Sequence, residues 1–528
     1  MKTGAVFNHS TLLKLGEFIL ITLIFSLAYT QEPIYNSPET ADGNQNTKFF
    51  QGLARAGWGL LDQDWLASTI DPLPAFTFLV EFSYKYIHPA YGFYLYYAIL
   101  MGIYVFSLLS IVSYVFKIKK NKYKYLLYLA IFLFIHTVNI EIFEFDTAWH
   151  LHAGVAQQYI LGPVFQPCNF GVFLLLSIVS FLYDNDRPFW AVISLAIAAT
   201  FHPTYLPSIT VLTLSYMFCI WQEEKNFKKA FFVGLLSFIL VLPVFCYMYF
   251  NFQATSPELK AQATDIIVNF RIPHHSLTEV WLAKGRAQVQ TIIVIIALYL
   301  VRKTKLFTIL VIPFLVALSL TIAQIYIENN TIAFIAPWRI SVFLVPIATS
   351  VIIASLVSWI WRKWAEKKTK IKQIVLVISL AIVTVLVILG TNKQIALFQY
   401  YDNSTPMLNF VRQTRQPEYT YLVPPDYKRL QKFRLYTGAP IFINKKSHPY
   451  KDTEVIEWYK RVQLALQIYS NTPNSCPLLE NLATNEGVTH VVMELNKYVF
   501  GCNYLLQEVY RDKKYGVYRI QLDEIAQQ

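Results

Sequence analysis

Charge is scarce in this 528-residue chain: only 15% of its residues are Asp, Glu, Lys or Arg, against 55% that are hydrophobic. That balance excludes a soluble enzyme of this length, which would need far more polar surface. Phosphate-cradling glycine loops are missing as well, since neither a P-loop, a dinucleotide fingerprint nor a nucleophile elbow occurs. No spacing matches a zinc rule such as HExxH, and no repeat period or low-complexity tract stands out, which excludes repeat architectures. Cysteine is limited to five residues. Cys168, Cys219 and Cys246 fall in apolar runs and read as small buried hydrophobes, whereas Cys476 and Cys502 fall in a polar tail, where a disulfide and a reduced pair are both open.

Apolar runs are what the sequence has in abundance. Stretches able to cross a bilayer of about 30 Å, at roughly 20 residues each, recur through the first three quarters of the chain. They fall near 11–30, 91–116, 124–140, 163–183, 188–201, 204–221, 231–250, 287–301, 306–326, 340–361 and 373–391. The fold class expected is therefore an α-helical polytopic membrane protein of about eleven spans. The run 188–221 could be one span or two joined at "FHPTYLP", and the choice reverses the orientation of everything after it. Basic residues decide. The connections "KIKKNKYK" (117–124), "EEKNFKK" (223–229), "RKTK" (302–305) and "RKWAEKKTKIK" (362–372) all fall on the cytoplasmic side only in the two-span reading. The formal net charge of +12 is thus an orientation signal and gives no support to nucleic-acid binding.

The same parity puts the N-terminus in the cytoplasm; "SLAYTQ" offers small residues where a signal peptide could be cut, but the long apolar stretch and thin basic n-region of residues 1–30 favour an uncleaved first span. It puts the loop 31–90, the segment 141–162, the turn near His202, the loops 251–286 and 327–339, and the tail outside the cytoplasm. Residues 1–394 read as the transmembrane domain. In "NTKFFQGLARAGWGLLDQDWLAS" the apolar positions Phe49, Phe50, Leu53, Ala54, Trp58, Leu61 and Trp65 lie near helical spacing, which predicts helices lying along the membrane surface. Residues 395–528 alternate helix-like and strand-like pieces, with strands expected at "YTYLVPP", "PIFIN", "THVVMEL" and "GVYRIQ"; this is a small extracytoplasmic α/β domain.

Ionisable residues at a membrane boundary are costly unless they face water, a partner or a substrate. "EIFEFDTAWHLHAG" (141–154) therefore stands out, carrying Glu141, Glu144, Asp146, His150 and His152. Carboxylate plus imidazole suits a general base or a divalent ion such as Mg or Mn, with Asp146 and His150 four apart on one helical face; a solvated loop is the plain alternative. "NFRIPHHSLTEVW", in another outer loop, groups Arg271 with His274 and His275 after a proline, a cationic set suited to phosphate, unless the histidines only cap or pack the loop. Arg339 in "IAPWRIS" and His202 in "FHPTY" could join the same pocket, or act as a headgroup anchor and a structural histidine. The first loop adds Glu39, Asp42, Asp62, Asp64 and Asp71; "DQD" has the look of a metal-binding DxD, while turn and cap chemistry fits Asp62 and Ser68 equally. In the tail, Arg434, Lys445, Lys446, His448, Glu457 and Arg461 concentrate where binding is the better reading than catalysis.

This layout of cytoplasmic N-terminus, long first outer loop, about ten further spans and an extracytoplasmic α/β tail resembles the GT-C superfamily of integral-membrane glycosyltransferases. The resemblance implies sugar transfer from a polyprenyl-phosphate donor to an extracytoplasmic acceptor, an outer-loop acid as base, and in some members a divalent metal. Carried over, the first-loop acid corresponds to Asp42, although "GNQN" stands where the family has an acidic pair, and the second-loop acids correspond to Glu144 and Asp146. The phrases "FRIPHHS", "PWRIS" and "FRLYTGAPIFINKKSHPYKDTEVIEWYKR" also look like those of bacterial polytopic membrane proteins without an assigned activity. A bacterial inner-membrane transferase with a lipid-linked sugar donor and membrane lipids as partners is the leading expectation. A non-enzymatic protein that binds or presents a lipid-linked glycan is the rival. A transporter comes third, because the spans hold few charges and show no inverted repeat.

Overall fold

A computed structural model describes residues 9–29, 44–87, 89–138, 141–142, 145–146, 153–184, 188–283, 285–327, 329–366, 368–398, 402–470, 472, 475–498, 501–502 and 504–522. The described chain is mostly helical. Six of its helices are long and apolar enough to cross a membrane: Gly92–Phe116, Pro203–Glu224, Phe227–Asn251, Lys305–Ile327, Asn330–Ala365 and Thr369–Leu397. Helices His9–Ala28, Lys122–Thr137, Val172–Tyr183, Phe189–Phe201 and Arg286–Val301 occupy the other stretches expected from hydropathy. The last three have 12, 13 and 16 residues. At 1.5 Å per residue they extend roughly 18–24 Å, short of a full hydrocarbon core. The run 188–221 divides at His202 and Pro203 into two helices, because proline disfavours a helical residue before it and lacks the amide to continue the ladder.

The four basic connections share one end of the helical bundle. Tyr123 stacks on Trp361, Lys119 pairs with Glu17, and Lys305 pairs with Glu223 and lies within electrostatic reach of Tyr114. At the opposite end, Tyr247 donates to the Asp71 carbonyl at 2.6 Å, Gln394 to the Tyr29 carbonyl at 2.9 Å and Gln324 to the Ser276 carbonyl. The loops between 44 and 71, 153 and 168, 252 and 283, and 329 and 341 gather there with the tail. The helix inside Asn330–Ala365 is the most enclosed at 78% buried, and Phe227–Asn251 the least at 11%. The latter turns Phe231, Phe232, Phe238 and Phe245 outward, a composition suited to lipid.

The first loop differs from its expected role. Phe49, Phe50, Leu53 and Leu61 are fully buried against the protein, and the amphipathic helix with an outward aromatic face is Pro74–Tyr86, through Phe78, Phe82 and Tyr86. Nor do the acids of "DQD" converge on a metal. Asp62 is exposed, while Asp64 is buried, caps the turn Trp65–Ser68 by accepting from the Leu66 amide, and pairs with Arg434 at 2.8 Å. The loop and tail interlock around this pair. Asp64 also accepts from the Ile441 amide at 2.9 Å, the Leu60 amide donates to the Gly438 carbonyl at 2.7 Å, and the Trp58 indole donates to the Leu435 carbonyl at 2.7 Å. Gly59 and Gly438 both have positive φ, and a Cβ on Gly59 would lie 2.4 Å from the Gly438 carbonyl oxygen, so only glycine fits.

Glu141–Ile142 (β1) pairs antiparallel with Phe145–Asp146 (β2), which sets Glu141 opposite Asp146. The tail forms a four-stranded sheet of Tyr421–Leu422 (β3), His490–Glu494 (β4), Leu506–Arg511 (β5) and Tyr515–Ile520 (β6) in the order β3-β4-β6-β5. β3 runs parallel to β4, and the other pairings are antiparallel. Helix Asp452–Ile468 covers one face with Trp458, Val462 and Ala465, and helix Thr405–Thr414 adds Met407, Leu408 and Val411 to a second cluster. "PIFIN" makes a single parallel bridge, Ile441 to Tyr421, in which the Tyr421 amide donates to the Pro440 carbonyl and the Phe442 amide to the Tyr421 carbonyl, while the Ile441 amide on the far edge goes to Asp64. A disulfide joins Cys476 to Cys502.

Candidate functional site

Three outer segments and one tail loop bring cations together at the end of the bundle away from the basic connections. Arg271 ends the π-helical turn Ile266–Arg271, whose wider coil gives way at Ile272 because Pro273 follows. Its Nε donates to His448 Nδ1 at 3.1 Å and its Nη2 to the Lys446 carbonyl at 2.7 Å. Arg339 lies in the short 3-10 turn Pro337–Ser341 and donates from Nε to Gln158 Oε1 at 2.9 Å. Lys48, at the end of the short helix Gln45–Lys48, donates from Nζ to the Tyr450 hydroxyl at 3.1 Å. His275 Nδ1 donates to the Ala156 carbonyl at 2.8 Å, and its ring lies 4.0 Å from that of His274.

These groups feel one another. Burial, then the charges of Arg271, Lys48 and Lys428, pushes the Lys446 amine down to about 8. Burial and the neighbouring Arg271, Lys48 and Lys446 hold the His448 imidazole well below its usual range, so it is neutral and can accept from Arg271. His275 is likewise held low by burial, His274, Arg339 and Arg271. Burial alone would raise the Tyr450 phenol, yet Lys48, Arg271 and Arg339 outweigh it and the net direction is down. Lys48 and Arg339 are also within electrostatic reach of His202. Arg271, Arg339, Lys446 and Tyr450 keep part of their surface accessible while protein packs around them, as groups lining a recess do. Among the described residues, no carboxylate pairs with Arg271, Arg339, Lys48 or Lys446.

The backbone around the recess is strained. Ala156, Gln157 and Ala336 all adopt positive φ, at 57°, 58° and 51°, in the segments that deliver the Ala156 carbonyl, Gln158 and Arg339. Left-handed conformation costs a residue with a side chain about 1–2 kcal/mol, and such positions cluster where a site dictates the geometry. A crevice opens beside the recess between the first loop and the tail, lined by Thr47, Lys48, Gln51, Asp71, His448 and Tyr450. Asp71 is committed there: Oδ1 accepts from the Leu73 amide and Thr77 hydroxyl, and Oδ2 lies 3.1 Å from Arg55.

Of the residues expected from sequence, Arg271, His275, Arg339 and His202 converge on this recess, and His274 stands beside it. Asp42, Glu144 and His150 lie outside the described residues, and only the backbone of Asp146 is described, in β2. The chain leaving that stretch, residues 153–158, forms one wall. No group of three or more metal-ligating side chains occurs among the described residues. The tail cluster splits: Lys446 and His448 join the recess, Arg434 goes to Asp64, Lys445 sits over the Phe270 ring, and Arg461 pairs with Glu457 and Glu486. Lys48, Gln158 and Tyr450 are additions that sequence reasoning did not single out. The one available signal was Lys48, a lone cation beside aromatics that prove to be buried.

Comparison with known families finds similarity in the tail. Residues 402–465, which include Arg434, Lys446, His448 and Tyr450, match the profile of a domain of unknown function, DUF6798. Among curated proteins, none matches the chain.

Proposed function

We propose that the chain is a GT-C-like membrane glycosyltransferase of about eleven spans. It transfers a sugar from a polyprenyl-phosphate donor to an acceptor on the extracytoplasmic side of a bacterial inner membrane. The observation that carries this reading is the recess of Arg271, Arg339, Lys48 and Lys446, none of which pairs with a carboxylate among the described residues. Cations sunk in protein are stable only when an opposite charge meets them, and a phosphate group offers arginine a two-pronged, charge-assisted partner. The recess lies away from the basic connections, consistent with donor entry from the outer leaflet. Arg271 and Arg339 would offset the charge that builds on the leaving phosphate as the sugar departs, and Asp146 or Glu144 would take the acceptor proton or hold a divalent metal.

The test is native mass spectrometry of the detergent-purified chain, wild type against Arg271→Ala, followed by transfer assays on Asp146→Ala. A polyprenyl-phosphate species that co-purifies with wild type and is lost in Arg271→Ala is expected, together with loss of transfer in a folded Asp146→Ala protein. Retention of the lipid with no dependence on Asp146 would favour a non-enzymatic binder that presents the lipid-linked glycan. Bulk phospholipid alone in both preparations would remove the donor.

A further inference from the structure

We infer that the recess takes a diphosphate, two linked phosphate groups, rather than the singly charged phosphodiester of a monophosphate-linked sugar. The inference deepens the reading above and depends on it only for the lipid that carries the group.

Charge is the first ground. Arg271, Arg339 and Lys48 are cationic side chains, and Lys446 is a fourth at neutral pH. The three histidines at the site, His448, His275 and His202, add none once neutral, so the cationic excess belongs to the arginines and lysines. The described group that Arg271, Arg339 and Lys48 all act on is the Tyr450 phenol, which is no match for them. A phosphodiester carries one negative charge and would leave most of this excess unmet; a diphosphate carries at least two.

Geometry is the second ground. The cations come in two sets held by different segments. Arg271 and Lys446 belong to the wall made by the tail loop and the 266–276 turn, with Arg271 tied to His448 and the Lys446 carbonyl. Arg339 belongs to the membrane-side wall, tied through Nε to Gln158 and through its own carbonyl to the Ser208 hydroxyl. Tyr450 lies within electrostatic reach of both arginines and bonds Lys48, so it marks the space between the walls. In each guanidinium the bonds to protein use part of the donor fork, which leaves N–H groups for a ligand. One phosphate per wall, bridged by the shared oxygen, satisfies both.

The experiment is isothermal titration of the full-length detergent-purified chain with pyrophosphate, inorganic phosphate and dimethyl phosphate, repeated on Arg271→Gln and Arg339→Gln. Pyrophosphate is expected to bind at least about tenfold tighter than dimethyl phosphate, and each substitution to weaken pyrophosphate by about tenfold or more, the effect of losing one charged hydrogen bond. Dimethyl phosphate binding as tightly as pyrophosphate overturns the inference. So does unchanged pyrophosphate affinity in both arginine variants, a sign that the anion sits elsewhere. Thermal melts without ligand show whether each variant is folded, and the second arginine variant keeps the test decisive if the first is not. A prenyl diphosphate that outbinds pyrophosphate supports a lipid carrier; equal binding supports a soluble diphosphate, and both uphold the diphosphate itself. Diphosphate binding with no sugar transfer under any condition would sink the transferase reading and leave this one standing.

Discussion

Arg434 is buried and Arg271 partly buried, and their surroundings treat them in opposite ways. Arg434 is 3% exposed and faces Asp64, itself fully buried, whose oxygens also take the Ile441 and Leu66 amides. Arg271 has a neutral imidazole and a carbonyl instead, with further cations beyond them. The first arrangement is complete and holds loop to tail. The second holds its cations with neutral acceptors alone among the described residues. On the function proposed above, that second place is kept for a ligand.

The largest effect should come from breaking the complete pair. Asp64→Ala strands Arg434 and frees two amides, and a loss of about 3–5 kcal/mol is expected, read as a lower unfolding midpoint in detergent and faster proteolysis of the tail. A tail as protected as in wild type would show that the pair is not the fastener. Arg271→Gln should behave oppositely in the absence of ligand. It removes repulsion among cations and keeps a donor for His448, so its melting temperature should match or exceed that of wild type; a fall comparable to that of Asp64→Ala would mean that Arg271 is paired after all.

Lys446 sharpens the contrast through pH. With its amine held at about 8, it is charged below that value and neutral above it. Anion affinity should therefore weaken as pH rises from 7 to 9, and Lys446→Arg, which stays charged, should flatten the slope in pyrophosphate titrations. The smallest effect is expected at Ala336, whose φ of 51° suits glycine. Ala336→Gly should raise stability by about 0.5–1 kcal/mol, less than the strain relieved because glycine also loosens the unfolded chain. A lower melting temperature there would argue against the left-handed turn.

Much of the helical framework was legible because a bilayer imposes one simple demand, apolar length, and the chain answers it run by run. The division at "FHPTYLP" followed from proline and from the sidedness of lysine and arginine. In the tail, β4 and β6 were readable from their buried apolar residues, but β5 was not. It is an edge strand with Gln507, Glu508 and Val509 exposed, so burial never patterned its sequence. "PIFIN" misled for the converse reason: it is apolar and buried, yet it meets β3 at one bridge only, and its other edge faces Asp64 of the first loop instead of a further strand. The cationic site was half legible. Arg271, His275 and Arg339 stood out as ionisable groups at helix ends, whereas Lys48, Gln158 and Tyr450 gain meaning only when segments hundreds of residues apart meet. The interfacial helices expected around Trp58 turned inward because Phe49, Phe50 and Leu53 found protein partners.

The interlock of Gly59 with Gly438 bears on how the molecule is made. Residues near 59 emerge from the ribosome long before residues near 438, so one half of that seam must wait, uncovered, while the whole bundle is threaded into the membrane. Lys48 waits with it for Tyr450, and Arg271 for His448. A chain that stalls or is clipped before the tail therefore has most of its helices but no ligand recess. On the proposed function, binding competence then doubles as a certificate that synthesis ran past residue 450.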